Sequence, residues 1–155
     1  MIAAQTAPKG RGTDMLHIQT VSEKEKIALI SEMKKIGGQS EDTAFFLRDA
    51  ENIAASDAVI LIGTKADARG LNCGLCGFDI CGDKPTEQTC VFNTIDLGIA
   101  LGSAVCSAAA FKVDNRIMYS AGKAAEQLQL LGKDIHCIFA IPCSVSSKSI
   151  FFDRK

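Results

Sequence analysis

Four cysteines stand close together in the middle of the chain, at Cys73, Cys76, Cys81 and Cys90. Their spacing is C-x2-C-x4-C-x8-C, and it begins in the stretch "GLNCGLCGFDIC". Four thiolates are the ligand set of a [4Fe–4S] cluster or of a structural zinc ion, and a C-x2-C pair is used by both. The spacing alone does not separate iron from zinc, or either metal from plain reduced thiols.

The residues between the cysteines favour an iron–sulfur cluster over zinc. Leu75, Phe78 and Ile80 could shield a cluster from water, whereas zinc knuckles are usually tighter and more polar between their ligands. Asp79 would add negative charge and lower a cluster's reduction potential. Glycines leave the backbone free to wrap closely and to aim N–H groups at sulfur, and they stand at Gly70, Gly74, Gly77 and Gly82.

Composition limits the classes of function. The chain has 155 residues, 47% of them hydrophobic, so we expect one domain over residues 1–155 with a core of its own. The formal net charge of −1 and the absence of tryptophan give no indication of a nucleic-acid or membrane partner. We see no signal peptide and no apolar run of bilayer length, so we expect a reducing cytoplasm, where close cysteines more often bind metal than form disulfides.

The first half of the chain predicts two strands and two helices before the cysteines. Alternation predicts a strand at 15–21, and Ser22 with Glu25 forms a capping box that opens a helix closed by Gly37 and Gly38. A second helix over about 43–55 and a buried strand at 57–64 follow. Residues 65–92 show no periodicity, and so long a loop in a compact domain is usually functional.

The second half predicts two helices and a final strand. An Ala- and Gly-rich helix covers 93–111, and an amphipathic helix covers 119–132 and ends at Gly132. A buried strand at 135–142 is stopped by Pro142. The whole pattern predicts one mixed domain, with about three core strands between helices.

A second group of residues could bind phosphate. Glycines expose backbone N–H groups and cations neutralise charge, which makes Lys9, Gly10, Arg11 and Gly12 a candidate phosphate cradle. Two further pairs, Asn115 with Arg116 and Arg154 with Lys155, could close over the same group. The alternative is a solvated turn and ordinary surface charge.

Other polar residues and cysteines have structural explanations. Asp96 lies in the first turn of a predicted helix, where a carboxylate stabilises the helix dipole. We expect buried structural roles for Cys106, Cys137 and Cys143, and no ligand role for His17 or His136. The sequence shows no triad, P-loop or dinucleotide fingerprint, so catalytic residues are not assigned.

The cysteine stretch resembles a known iron–sulfur signature. "NCGLCGFDIC" is similar to the C-G-x-C-G-[FY]-x-x-C pattern of the [4Fe–4S] domain of the Rnf electron-transport complex and of corrinoid iron–sulfur proteins. Over nearly its whole length the chain also resembles a family of uncharacterised prokaryotic proteins containing a ferredoxin domain, through segments such as "FFLRDAENIAASDAVILIG", "GLNCGLCGF" and "FNTIDLGIALGSAV". These likenesses imply a [4Fe–4S] cluster held by Cys73, Cys76, Cys81 and Cys90.

A fainter likeness suggests the fold. The stretch "AAQTAPKGRGTDMLHIQTVSEKEKIALISEM" resembles the start of a nitroreductase: a helix end, a turn, a strand and a helix. It implies an α+β fold of α/β/α type, with a small central sheet, helices on both faces and the cysteine-rich loop at about 65–92. Because nitroreductases are FMN-binding homodimers, it also implies a homodimer and FMN, whose phosphate would lie at Lys9–Gly12, Asn115 and Arg116.

Together these patterns predict a cytoplasmic redox protein that holds a [4Fe–4S] cluster and exchanges electrons with an unknown donor or acceptor. Two alternatives stay open. One is an FMN-dependent oxidoreductase of nitroreductase type, and the other is a structural or binding module stapled by zinc.

Overall fold

The computed structural model describes residues 1–152, so Arg154 and Lys155 lie outside the described part of the chain. Its centre is an antiparallel sheet with the strand order β1-β2-β4-β3. The strands are β1 (Leu16–Thr20), β2 (Ala58–Lys65), β3 (Asp114–Asn115) and β4 (Ile135–Ser144). The sheet therefore has the three predicted core strands and, at its edge, the two-residue β3.

Five α-helices surround this sheet within the described residues. They are α1 (Ile2–Gln5), α2 (Glu23–Gly37), α3 (Phe45–Ala55), α4 (Val91–Ala110) and α5 (Tyr119–Gln127). The predicted capping box is present: the Ser22 side chain accepts from the Glu25 N–H, and the Glu25 carboxylate accepts from Ser22. Helix α5 ends at Gln127, before the predicted Gly132, because the chain turns at Gln129, which has a φ of 53°.

Alternation along the strands divides the core between two faces. Val59 and Leu61 point to the core shared with α2, α3 and α5, whereas Ile60 and Ile62 point to the core shared with α1 and α4. The predicted α+β fold, a small sheet with helices on both faces, is confirmed.

Strand β4 continues past Pro142, although the sequence predicted that Pro142 would stop it. Ala140 exchanges backbone hydrogen bonds with Met118. Since alternate residues of a strand face the same edge, Pro142 faces this edge too, between the Met118 bridge and the short β3. The missing N–H of proline therefore costs no ladder hydrogen bond.

A bulge interrupts β4 near its start. Ile62 pairs with Phe139 and Thr64 with His136, so β4 has one more residue than β2 between these pairs. Cys137 carries the bulge, with a φ of 50°. Gly63 on β2 lies opposite the bulge. A Cβ at this position would lie 2.6 Å from the Ile135 side chain and 2.9 Å from the Ile138 side chain.

Helix α4 is long and apolar. By length and composition α4 is long and apolar enough to cross a membrane, so the expectation of no apolar run of bilayer length was too strong. The core helix of a soluble protein meets the same criteria. Leu97, Ala100 and Leu101 bury one face of α4 against the sheet. Residues 66–90, before α4, form the predicted loop, with one 3₁₀ turn at Cys81–Asp83.

Candidate iron–sulfur site

The four clustered cysteines line one cavity. Cys73 and Cys76 lie in the loop, Cys81 begins the 3₁₀ turn, and Cys90 is the N-cap residue of α4. All four are free thiols. The remaining cysteines, Cys106, Cys137 and Cys143, do not line this cavity.

Glycines and an asparagine shape the loop around these thiols. Gly74 and Gly77 have φ values of 70° and 89°, and the Gly77 N–H donates to the Gly74 carbonyl at 2.9 Å in a tight turn. The Asn72 N–H donates to the Cys81 sulfur at 3.3 Å, and the Asn72 side-chain oxygen accepts from the Cys81 N–H at 2.9 Å. A backbone N–H is thus aimed at a thiol sulfur, but it belongs to Asn72 and not to one of the glycines expected to do so.

Cys90 anchors the cavity to the folded core. Its side chain is buried, and its N–H donates to the Ala66 carbonyl at the end of β2, at 3.3 Å. The N-terminus of α4 begins at the next residue, and a helix N-terminus stabilises negative charge nearby. The buried thiol is therefore in a place that suits an anionic metal centre.

The apolar shield is smaller than the sequence indicated. Phe78 lines the cavity, but Leu75 and Ile80 are 60% and 55% exposed. Both were expected to cover a cluster. Instead, the exposed side chains of Leu75 and Ile80 form an apolar surface beside the cysteine cavity.

The thiols fit the donor set of a cluster, but the cavity they line is tight. Within residues 1–152, no three His, Cys, Asp or Glu side chains are arranged to hold a single metal ion. The enclosed volume is about 10 Å³, room for one water molecule, so a multi-atom cluster requires the loop to move outward. The glycine-rich residues 70–82, mostly exposed, are the part that can move, whereas Cys90 is fixed.

A buried ion pair that the sequence did not reveal holds the base of this loop. The Arg69 guanidinium binds the Asp96 carboxylate, with only 2% and 4% of the two side chains exposed. Arg69 also donates to the Asn93 side chain and to the Thr13 carbonyl, each at 2.5 Å. Both Asp96 oxygens accept from the Gly10 N–H, at 3.0 and 3.1 Å. The pair ties together the loop, α4 and the segment after α1.

The predicted phosphate cradle is engaged in other contacts. Lys9 is buried, and its ammonium donates to the carbonyls of Gln5 and Ala7 at 2.5 and 2.8 Å. The Gly10 N–H is taken by Asp96, and Arg11 donates to the Arg69 carbonyl at 3.1 Å. Gly12 has a φ of 67°, and a Cβ there would meet nothing within 4 Å.

The other two predicted phosphate residues lie elsewhere. Asn115 donates to the Val113 carbonyl at 2.9 Å, and the Arg116 guanidinium lies 5.4 Å from the centre of the Phe152 ring. Gly10 contacts Asp96 near the start of α4, whereas Asn115 lines a groove with Cys106 and Ala109 near the end of that helix. One chain does not bring the two groups together.

Solved structures with a similar fold include nitroreductases. The chain superposes with a TM-score of 0.64 on a nitroreductase with bound FMN from Desulfitobacterium hafniense, at 18% identity, covering 95% of this chain and 74% of that one. A nitroreductase with bound FMN from Bacteroides fragilis gives 0.64 at 12% identity, covering 99% and 78%. A hypothetical oxidoreductase of Bacillus subtilis, YcnD, gives a TM-score of 0.61 at 20% identity. The match covers 96% of this chain but only 55% of that one.

Two sequence comparisons concern the family. A model described as "Uncharacterized protein containing a ferredoxin domain" matches residues 86–154, which include Cys90 but begin after Cys81. An uncharacterised protein of Archaeoglobus fulgidus is 42% identical over 164 aligned positions, which cover 98% of this chain and 86% of the relative. The chain therefore belongs to the family of uncharacterised proteins containing a ferredoxin domain.

Proposed function

We propose that this chain is a cytoplasmic redox protein that holds a [4Fe–4S] cluster through Cys73, Cys76, Cys81 and Cys90. The observation that carries the proposal is that these four free thiols, spread over 18 positions, line one cavity. The family's ferredoxin domain and the nitroreductase-like fold both support a redox role. Such a cluster, when bound, accepts and releases electrons.

The chain's own residues have separate tasks in this proposal. Cys90 would supply a ligand from the start of α4, and Cys73, Cys76 and Cys81 would supply the other three from the exposed loop. The Asn72 N–H, which points at the Cys81 sulfur, would adjust the cluster's potential. The exposed Leu75 and Ile80 offer an apolar surface on which an electron donor or acceptor can dock.

The test is a spectrum and a metal assay of protein purified without oxygen. We expect a broad visible band that bleaches with dithionite, with iron and acid-labile sulfide in similar amounts. Changing Cys73, Cys76, Cys81 or Cys90 to Ser should each lower the iron content, whereas Cys106→Ser on the exposed face of α4 should leave it unchanged. One zinc per chain without iron would instead support the zinc-stapled module.

FMN is a second candidate, because two proteins of similar fold are described with bound FMN. The same spectrum tests it, since bound flavin gives two visible peaks and is released on denaturation. Cys73→Ser should leave flavin bound, because the cysteine loop does not hold it. A colourless filtrate after denaturation would exclude this candidate.

We also propose that the protein is a homodimer, joined through the exposed face of α4. Ile95 and Ile99 are exposed on this helix, and a Cβ added at Gly98 or Gly102 would meet nothing within 4 Å. A face of large apolar and small residues allows a second helix to approach closely. A second copy of the chain offers the same face and makes the contact symmetric.

A further inference from the structure

A second cavity lies at the edge of the sheet, between α5 and β4. Its volume is about 340 Å³, within the range of small-molecule sites. Tyr119 and Phe139 form an aromatic wall, with ring centres 6.4 Å apart. In the described chain, β3 pairs only with Cys143 and Ser144, so the β4 edge along this cavity has no strand beside it.

Titratable side chains converge on this cavity. The Nδ1 atom of His136 lies 3.3 Å from a Glu126 oxygen, and Lys123 lies 3.8 Å from the other oxygen of that carboxylate. Since Glu126 holds Nδ1, the Nε2 nitrogen of His136 is the one that can take up a proton. A histidine oriented by a carboxylate is the usual arrangement of a general base.

The bulge in β4 adds a thiol to the same cavity. Neighbouring residues of a regular strand point to opposite faces, so His136 and Cys137 would ordinarily be separated by the sheet. The φ of 50° at Cys137 breaks this alternation, and both residues line the cavity. Strained backbone of this kind is found most often at functional sites. The sequence had indicated a structural role for Cys137 and no ligand role for His136.

The cavity borders the cluster site. The Cys137 thiol donates to the Thr89 hydroxyl at 3.5 Å, and Thr89 is joined directly to Cys90. On the other side of Thr89, the Gln88 side chain donates to the Cys76 carbonyl at 3.1 Å. The segment 88–90 therefore separates the two cavities and contacts both.

We propose that this second cavity binds a small disulfide and that Cys137 attacks it, with His136 as the base. The proposal rests on the proposed function, because the cluster would supply the electrons that release the bound sulfur compound. A sulfur–sulfur bond is a group that a thiolate can open and that electrons can cleave, so it matches a thiol placed beside a candidate electron carrier.

The chemistry balances in two stages. The Cys137 thiol gives its proton to His136, and its sulfur attacks one sulfur of R–S–S–R. A Cys137–S–S–R bond forms, the R–S–S–R bond breaks, and the leaving thiolate takes the proton from His136. Reduction of this mixed disulfide takes up two protons and two electrons, which a cluster held by Cys73, Cys76, Cys81 and Cys90 would supply, and gives the Cys137 thiol and R–SH.

The first experiment measures the attack alone. Cluster-loaded protein is incubated without oxygen with bis(2-hydroxyethyl) disulfide, and adducts at each cysteine are quantified by peptide mass spectrometry. We expect Cys137 to react at least about tenfold faster than Cys106, which is exposed in the single chain and is compared in an Ile99→Glu variant so that the proposed dimer does not cover it. Cys143 should react slowest, because burial raises the pKa of its thiol.

Variants identify the base. His136→Gln and Glu126→Gln should slow the reaction at Cys137 about tenfold and leave Cys106 unchanged. Lys133→Gln, outside the cavity, is the control and should change neither rate. A Cys137 rate no higher than that of Cys106, or a rate unaffected by His136→Gln, would overturn the proposal.

A second experiment tests whether a bound cluster supplies the electrons that release the adduct. When the adduct-bearing protein is reduced with a stoichiometric amount of dithionite, the visible band should first bleach. It should then return as the adduct disappears, because the adduct takes the electrons. Cys76→Ser, which loses the cluster, should form the adduct but keep it. Retention of the adduct by the loaded wild type would refute the reductive stage. If the purified protein held no iron, the proposed function would fail, while fast attack at Cys137 would still support the disulfide site.

Discussion

At the scale of single residues, the Arg69–Asp96 pair is the contact on which the site's geometry depends most. It crosses 27 positions of sequence and joins the cysteine loop to α4 with almost no exposure to water. A buried ion pair of this kind adds little net stability compared with apolar packing, but loss of one partner leaves a charge buried without compensation. Its value here is that it fixes where the loop begins.

Asp96→Ala should therefore lower the free energy of unfolding by about 3–5 kcal/mol, because it leaves the Arg69 guanidinium buried and unpaired. Urea denaturation of the purified protein measures this. Asp79→Ala, an exposed carboxylate in the cysteine loop, is the control and should change stability by less than about 0.5 kcal/mol.

The double variant Arg69→Met with Asp96→Leu checks the cause. It removes both charges and should lose less stability than Asp96→Ala alone. If the double variant were the less stable of the two, the loss would come from packing and not from the unpaired charge.

At the scale of elements, two local devices set α2 and α5 in place. The capping box at Ser22 and Glu25 satisfies backbone N–H groups at the start of α2. Gly122 allows α5 to lie directly on β4, since a Cβ at this position would be 1.8 Å from the Ile138 carbonyl oxygen. The same close approach brings α5 to the bulge that carries Cys137.

Glu25→Gln should lower stability at neutral pH by about 0.5 kcal/mol, since the group is mostly exposed and screened by water. Hydrogen bonds from the Ser22 side chain and backbone lower the pKa of Glu25 in the folded protein. Its stabilising effect is thus present above the ordinary glutamate pKa and is lost as the pH falls through the folded value.

Urea denaturation of both proteins from neutral to acid pH measures the difference, which should shrink to zero at the acid end. Glu23→Gln is the control, because Glu23 lies in the same first turn without a place in the capping box. A difference that persisted at low pH would mean that the Glu25→Gln substitution disturbs α2 in some other way.

Gly122→Ala should destabilise the protein by more than about 3 kcal/mol, because α5 must move away from β4 to make room. Alanine is otherwise the better helix former of the two residues, so propensity predicts the opposite sign. Thermal unfolding decides between them, with Ser31→Ala on the exposed face of α2 as the control that should be neutral or stabilising.

At the scale of the whole molecule, the sheet is covered on both faces, but residues 1–152 cover α4 on only one. Its inner residues pack on the sheet, while Ile95 and Ile99 remain 45% and 42% exposed. An apolar stripe of this kind along a helix of 20 residues is where the proposed dimer would form.

Ile99→Glu should convert the dimer into a monomer at micromolar concentration, because it places two like charges in a symmetric contact. Sedimentation velocity measures the change. Ile27→Glu is the matched control, since Ile27 is 70% exposed on α2 and should leave the dimer intact. A wild-type protein that sedimented only as monomer would contradict the dimer.

The sequence by itself determined the elements and the thiol set. The capping box at Ser22 and the apolar alternation of residues 57–64 are local patterns, and each produced the predicted element because the backbone periods are local. The spacing of the four cysteines predicted that they share one site, and in the structure they line one cavity.

Only the tertiary structure decided how distant segments meet. The Arg69–Asp96 pair, the bulge that carries Cys137 and the continuation of β4 through Pro142 leave no periodic signal in the chain. Each depends on a segment far away in sequence. Arg69 is paired by Asp96 on α4, the bulge lies opposite Gly63 on β2, and Pro142 lies at the sheet edge between Met118 and β3. Local patterns reflect the conformational preferences of neighbouring residues, whereas these contacts arise from the packing of separate elements against one sheet.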